Sequence, residues 1–94
     1  MTHDEIYKRA REKYGFNFEI GMLQEECAEV IQACSKLLRR STEENLVKLF
    51  GEIADVENLF EQMKRWFPLM RSYTDEIRDQ KMQRLAERLE QDCE

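Results

Sequence analysis

The chain has 94 residues, enough for one domain with a small core. Charged residues make up 37% of it, against three glycines and one proline, a composition that suits long helices with wet outer faces. The net charge of −5 argues against nucleic acid as a partner, and the absence of an apolar run of about 18 residues or of a signal peptide argues against a membrane and for a cytoplasmic chain.

Thr2 and Glu5 have the spacing of a capping box and open a first helix over about His3 to Lys13, stopped near Gly15. Its apolar stripe is short: Ile6, Tyr7 and Ala10. His3 reads as a surface residue of the first turn. Asn17 can cap a second helix reaching to about Arg40. Ile20, Leu23, Cys27, Val30, Ile31, Cys34, Leu37 and Leu38 recur at helical spacing along it. A second capping box at Ser41-Thr42-Glu43-Glu44 opens a third helix, from Thr42 to about Trp66. Its stripe is Leu46, Leu49, Ile53, Val56, Leu59, Phe60, Met63 and Phe67. The tight turn between the two long helices makes them antiparallel neighbours. Pro68 interrupts the pattern. Ser72 or Thr74 starts a last helix that reaches about Glu90, with Lys81, Arg84 and Arg88 on one face.

Cys27 and Cys34 lie seven apart on one helix, roughly 10 Å by helical rise, too far to pair, and read as small core residues. Cys93 is left over. With His3 the single histidine, no Cys/His zinc pattern exists.

The two long helices share one acidic arrangement. Glu26 and Glu29 are three residues apart, as are Glu52 and Asp55, so each pair shares a helix face. Glu26 falls between Met22 and Ala33 on one side and Val30 and Leu37 on the other. Glu52 falls between Leu59 and Met63. A charge seated in an apolar stripe is unusual, and charged carboxylates cannot share a dry interior unpaired. A cation must sit among them, and oxygen-only ligands point to Mg²⁺ or Mn²⁺. Salt bridging to Lys36, Arg39, Arg40 or Lys48 is the structural alternative. Gly51 beside Glu52 either allows close approach of a metal or backbone, or is tolerated at about 1 kcal/mol.

Glu25-Glu26-x-x-Glu29 followed by Glu52-x-x-Asp55 on two helices resembles the all-α nucleoside triphosphate pyrophosphohydrolases, the MazG-like superfamily. The resemblance covers roughly Leu23 to Phe60. It implies an all-α, four-helix, bundle-like fold completed by oligomerisation, as a homo-oligomer (dimer or tetramer). It implies Mg²⁺-dependent cleavage of a nucleoside triphosphate to the monophosphate and pyrophosphate. Carried over by position, Glu26, Glu29, Glu52 and Asp55 are metal ligands, Glu25, catalytic with Glu26, either supports the metal ligands from behind or orients the attacking water, and Asn58 is a helper near the metal or sugar. Lys36, Arg40, Lys81 and Arg84 are the candidates for the phosphates, and Tyr14, Phe16 and Phe18 for stacking a base. The competing expectation is a catalytically inactive helical interaction module that retains the acidic motif.

Overall fold

The structure, a computed structural model, describes residues 1–92; Cys93 lies outside them. Among the described residues the chain is helical throughout its regular structure: α1 (His3–Arg39), α2 (Glu43–Trp66) and α3 (Met70–Asp92). The expected N-terminal capping box forms. Thr2 Oγ1 accepts from the Glu5 amide at 3.1 Å, and Glu5 Oε2 accepts from the Thr2 amide at 3.2 Å.

The first two expected helices form one element with a break inside it, so three helices replace the expected four. The break is Gly15, at φ 83° and ψ 176°. That region is open essentially to glycine alone. The chain bends there without a loop, because helical geometry resumes directly on both sides. Tyr14 and Phe18 flank the bend with their rings stacked at 4.6 Å.

α1 ends at Arg40, whose extended backbone leaves the helix while its amide still donates to the Lys36 carbonyl at 2.9 Å. The start of α2 differs from the expected Ser41-to-Glu44 box. Thr42 is the capping residue, and its Oγ1 accepts from the Asn45 amide at 3.1 Å. Glu44 instead turns forward to pair with Lys48 at 3.1 Å. Asn45 Nδ2 reaches back to the Arg40 carbonyl at 2.9 Å, so one side chain ties the end of α1 to the start of α2.

Residues 1–62 form one compact unit, and residues from 63 onward form another. In the first, α1 and α2 run antiparallel, since shared cavities bring Glu29 to Glu52, Glu26 to Asp55 and Met22 to Leu59. The buried apolar core of the described residues is Ala33 and Val56. Cys27 and Cys34 are exposed, not core. They belong to a face of α1 with Ile31 and Leu38, which are 67% and 87% exposed, whereas the face carrying Met22, Glu26, Glu29 and Ala33 meets α2. The exposed face of α2 carries Val47, Phe50 and Ile53.

The second unit contains the last turn of α2, the Pro68 break and α3, which buries none of its described residues. α3 begins at Met70, ahead of the expected Ser72 or Thr74. Those two hydroxyls do not cap it. Ser72 Oγ donates to the Leu69 carbonyl at 2.9 Å and Thr74 Oγ1 to the Arg71 carbonyl at 3.2 Å, local bonds that helical geometry tolerates.

Candidate metal centre

The acidic pairs are brought together by helix period and register. Three residues span most of a helical turn, so Glu26 and Glu29 project from one side of α1, and Glu52 and Asp55 from one side of α2. The antiparallel packing turns these sides toward each other. Glu26, Glu52 and Asp55 each offer one carboxylate oxygen, and the three oxygens lie within 4.8 Å of one another. Glu29 joins them by sharing a hydrogen bond with Glu52. Three of the four expected residues thus converge, and Glu29 stands beside Glu52.

The electrostatics are strained. Burial, first, and then the charges of Glu29, Asp55 and Glu25 hold the Glu26 carboxyl above its ordinary value of 4.5. For Glu52 the largest cause is the hydrogen bond with Glu29, followed by burial and the charges of Glu29, Asp55 and Glu26. A carboxyl–carboxyl hydrogen bond exists only while one partner holds a proton. Both residues are half-buried, yet Glu26 Oε2 and Glu52 Oε2 are fully covered and meet no donor among the described residues. Buried acceptors without donors are rare and call for an explanation such as a bound ion. The salt-bridge alternative finds no support at these two groups, since Lys48 pairs with the exposed Glu44 instead.

The donor set fits a small hard dication. It is all oxygen, carries several negative charges, and holds two covered oxygens in need of a positive partner. Glu26, Glu52 and Asp55 would hold the ion, with Glu29 beside them.

The other expected site residues divide. Lys36 lines a cavity of about 290 Å³ together with Glu29 and Glu52, so a cation stands beside the acidic cluster. Asn58 lines the adjacent cavity with Glu26 and Asp55. Glu25 is exposed and acts on Glu26 through its charge. Arg40 is an exposed helix-capping residue and is not among the residues lining the Lys36 cavity, because the chain leaves α1 there. Lys81 and Arg84 are exposed on α3, in the second unit. Three residues of the region were not expected as site residues, although Lys48 was weighed as a salt-bridge partner. Lys48 and Asn45 line the Lys36 cavity, which only the register of α2 against α1 reveals. Glu19, 3% exposed, is the one buried charged residue among the described residues, held by Arg11 at 3.2 Å across the Gly15 bend.

Gly51 has nothing within 4 Å of where its Cβ would stand, so no close approach within this chain requires it. No helix among the described residues is long and apolar enough to cross a membrane. No family model, curated protein or solved structure matches the chain.

Proposed function

We propose that the chain is a Mg²⁺-dependent nucleoside triphosphate pyrophosphohydrolase of the MazG-like kind, hydrolysing a nucleoside triphosphate to the monophosphate and pyrophosphate. The observation that carries this reading is the convergence of Glu26, Glu52 and Asp55 oxygens within 4.8 Å, with Glu29 bonded to Glu52. A structural acidic cluster would be expected to find cations from its own chain. This one leaves two covered oxygens without donors.

When bound, Mg²⁺ (or Mn²⁺) supplies charge neutralisation for the phosphates and lowers the pKa of a water molecule. The protein's own part is positional. Glu26, Glu52 and Asp55 would hold the ion at the α1/α2 seam, where one end of the triphosphate would bind to it. Glu25, exposed beside Glu26, accepts a hydrogen bond from the attacking water and aligns it on phosphorus at the α–β linkage. Lys36 and Lys48 flank the cavity next to Glu29 and Glu52, where they neutralise charge developing on the pyrophosphate leaving group. Asn58, on the opposite side of the cluster, can donate to the sugar or the α-phosphate.

The same reading includes assembly. Ile31, Leu38, Val47 and Phe50 are each more than half exposed on α1 and α2, a large apolar display for so small a unit. A homo-oligomer would cover it.

The test is pyrophosphate release from a panel of ribo- and deoxyribonucleoside triphosphates, with and without Mg²⁺, by the wild type and Glu52→Gln. The variant keeps shape but removes a charged ligand. It should stay folded and lose at least about a hundredfold in turnover, since disturbing even the outer partners of metal ligands costs about 10- to 100-fold. A wild type that releases no pyrophosphate from any nucleotide, or a Glu52→Gln variant as fast as wild type, overturns the proposal.

A further inference from the structure

The cavity at the Gly15 bend is lined by Tyr14, Phe18, Glu19, Met22, Leu59 and Gln62, among others. Its volume is about 180 Å³. That is below the roughly 300–1,000 Å³ of pockets that enclose a whole drug-sized ligand, so it suits one flat ring system and not a complete nucleotide. Tyr14 and Phe18 supply a pair of parallel rings at its rim, 4.6 Å apart and both about half exposed. Met22 and Leu59 also line the cavity that holds Glu26, Asp55 and Asn58, so the two cavities adjoin along one seam.

Glu19 is the charged group of this mostly apolar wall, which also includes Gln62. It is 3% exposed. Its Oε2 takes the Arg11 guanidinium at 3.2 Å, while its Oε1 meets no donor among the described residues. A buried carboxylate oxygen left without a donor is costly, and a ligand that brings an N–H to it recovers that cost. A ligand that brings a carbonyl instead meets an unpaired acceptor.

Resting on the proposed nucleotide activity, we infer that this cavity binds the nucleobase, and that Glu19 selects bases carrying an exocyclic amine over their carbonyl counterparts. The amine donates to Glu19 Oε1, and a ring face packs on Tyr14 and Phe18. The direction of the substrate follows. The base lies toward Gly15, the α-phosphate at Glu26 and Asp55, and the outer phosphates toward Glu29, Glu52, Lys36 and Lys48. Glu19 and Glu26 are seven residues apart on α1, about two turns and roughly 10 Å, so base and metal ends sit on the same helix face.

The experiment is an amide-resolved NMR titration of the full chain, without metal, using two nucleoside pairs that differ at the amine: cytidine against uridine, and adenosine against inosine. Shifts at Gly15, Phe18, Glu19 and Met22 should saturate with at least one amino member and bind it about tenfold or more tighter than its carbonyl partner. Glu19→Gln, checked for helicity, should lose that preference because an amide can turn either a donor or an acceptor to the ligand. No saturable shift at these residues with any of the four nucleosides overturns the inference. So does equal affinity within both pairs, or a folded Glu19→Gln that keeps the preference. If Glu19→Gln does not fold, the wild-type pairs decide alone. Because no metal or turnover is involved, nucleoside binding here in a protein that hydrolyses nothing would sink the pyrophosphohydrolase proposal and leave this one standing. Turnover without discrimination would do the reverse.

Discussion

The bend at Gly15 gives the cleanest energetic test, because the three glycines sit in open space and differ only in backbone. An added Cβ at Gly15, Gly21 or Gly51 meets nothing within 4 Å. Steric clash with neighbours therefore drops out. At Gly15 the backbone stands at φ 83° and ψ 176°, where a residue with a Cβ costs about 1–3 kcal/mol. Gly21 and Gly51 lie inside helices with ordinary negative φ, where alanine gains about 0.5–1 kcal/mol over glycine. Gly15→Ala and Gly21→Ala should thus shift stability in opposite directions, separated by about 1.5–4 kcal/mol. For a domain of this size each kcal/mol moves Tm by about 4–8 °C, so calorimetry or thermal circular dichroism resolves the difference easily. Gly51→Ala should behave like Gly21→Ala. A Gly15→Ala variant as stable as wild type would refute the bend. A Gly21→Ala variant that loses stability would mean that something outside this chain packs against that position.

Three further outcomes follow from the acidic cluster and the exposed faces. Because the Glu26 and Glu52 carboxyls are held above 4.5 in the folded chain, the fold binds their protons more tightly than the unfolded chain does. Their contribution to stability is then complete below about pH 4.5 and is lost as pH rises through the raised values, so Tm of the metal-free protein, once corrected for other carboxylates with Glu26→Gln/Glu52→Gln, should fall between mildly acidic and neutral pH. Mg²⁺ bound among the same carboxylates would relieve the same repulsion. It should raise Tm at neutral pH, by about 2.7 kcal/mol of stability when a hundredfold above its Kd, and much less near pH 4.5; a Tm indifferent to millimolar Mg²⁺ at pH 7.5 contradicts the metal site. Light scattering at micromolar concentration should give at least a dimer, and Leu38→Glu or Phe50→Glu should shift it toward monomer, whereas a monomeric wild type removes the proposed covering of these faces. Glu26→Gln should match Glu52→Gln in lost turnover, while Glu57→Gln on the exposed side of α2 should change it by less than about threefold.

What sequence could and could not reveal follows from what periodicity encodes. Spacing of apolar residues fixes that a helix forms and which residues share a side, so the far end of α1, the span of α2 and the Pro68 break were legible within a few residues, whereas the continuity of α1 through Gly15 was not. It does not fix which of two apolar sides meets the neighbour. Cys27, Ile31, Cys34 and Leu38 form as regular a stripe as Met22, Glu26, Glu29 and Ala33 do, and pattern alone favours the first, which is the one left exposed. The resolving signal was the charge. Glu26 and Glu52 were conspicuous because each interrupts an apolar side, and the side they interrupt is the one that packs. Glu19 escaped for the opposite reason. Its partner Arg11 lies eight residues back, across a glycine that reads in sequence as the end of a helix, so the pair looks like two unrelated surface charges. Lys48 and Asn45 were not expected at the site because their place beside Glu29 depends on register, which a connection of three residues restricts but does not spell out.

The groove itself carries the final step. Along the α1/α2 seam the lining passes from Lys36, Asn45 and Lys48, through Glu29 and Glu52 to Glu26 and Asp55, and on to Met22 and Leu59 beside Glu19. Cations, carboxylates and apolar residues occur in that order because antiparallel packing aligns one end of each helix with the other end of its neighbour. A core helix pair gains nothing from such an order, since mixing the charges would neutralise them at shorter range. An elongated ligand with phosphates at one end and a ring at the other does gain from it. The order is therefore the property to perturb. Moving one lysine, as in Lys48→Met with Met22→Lys, preserves the net charge of the groove while shifting a positive charge from its phosphate end to its apolar end. It should raise KM for any nucleotide the wild type hydrolyses by tenfold or more, with metal affinity changed far less. Unchanged KM in that double variant would mean that the substrate does not lie along the seam.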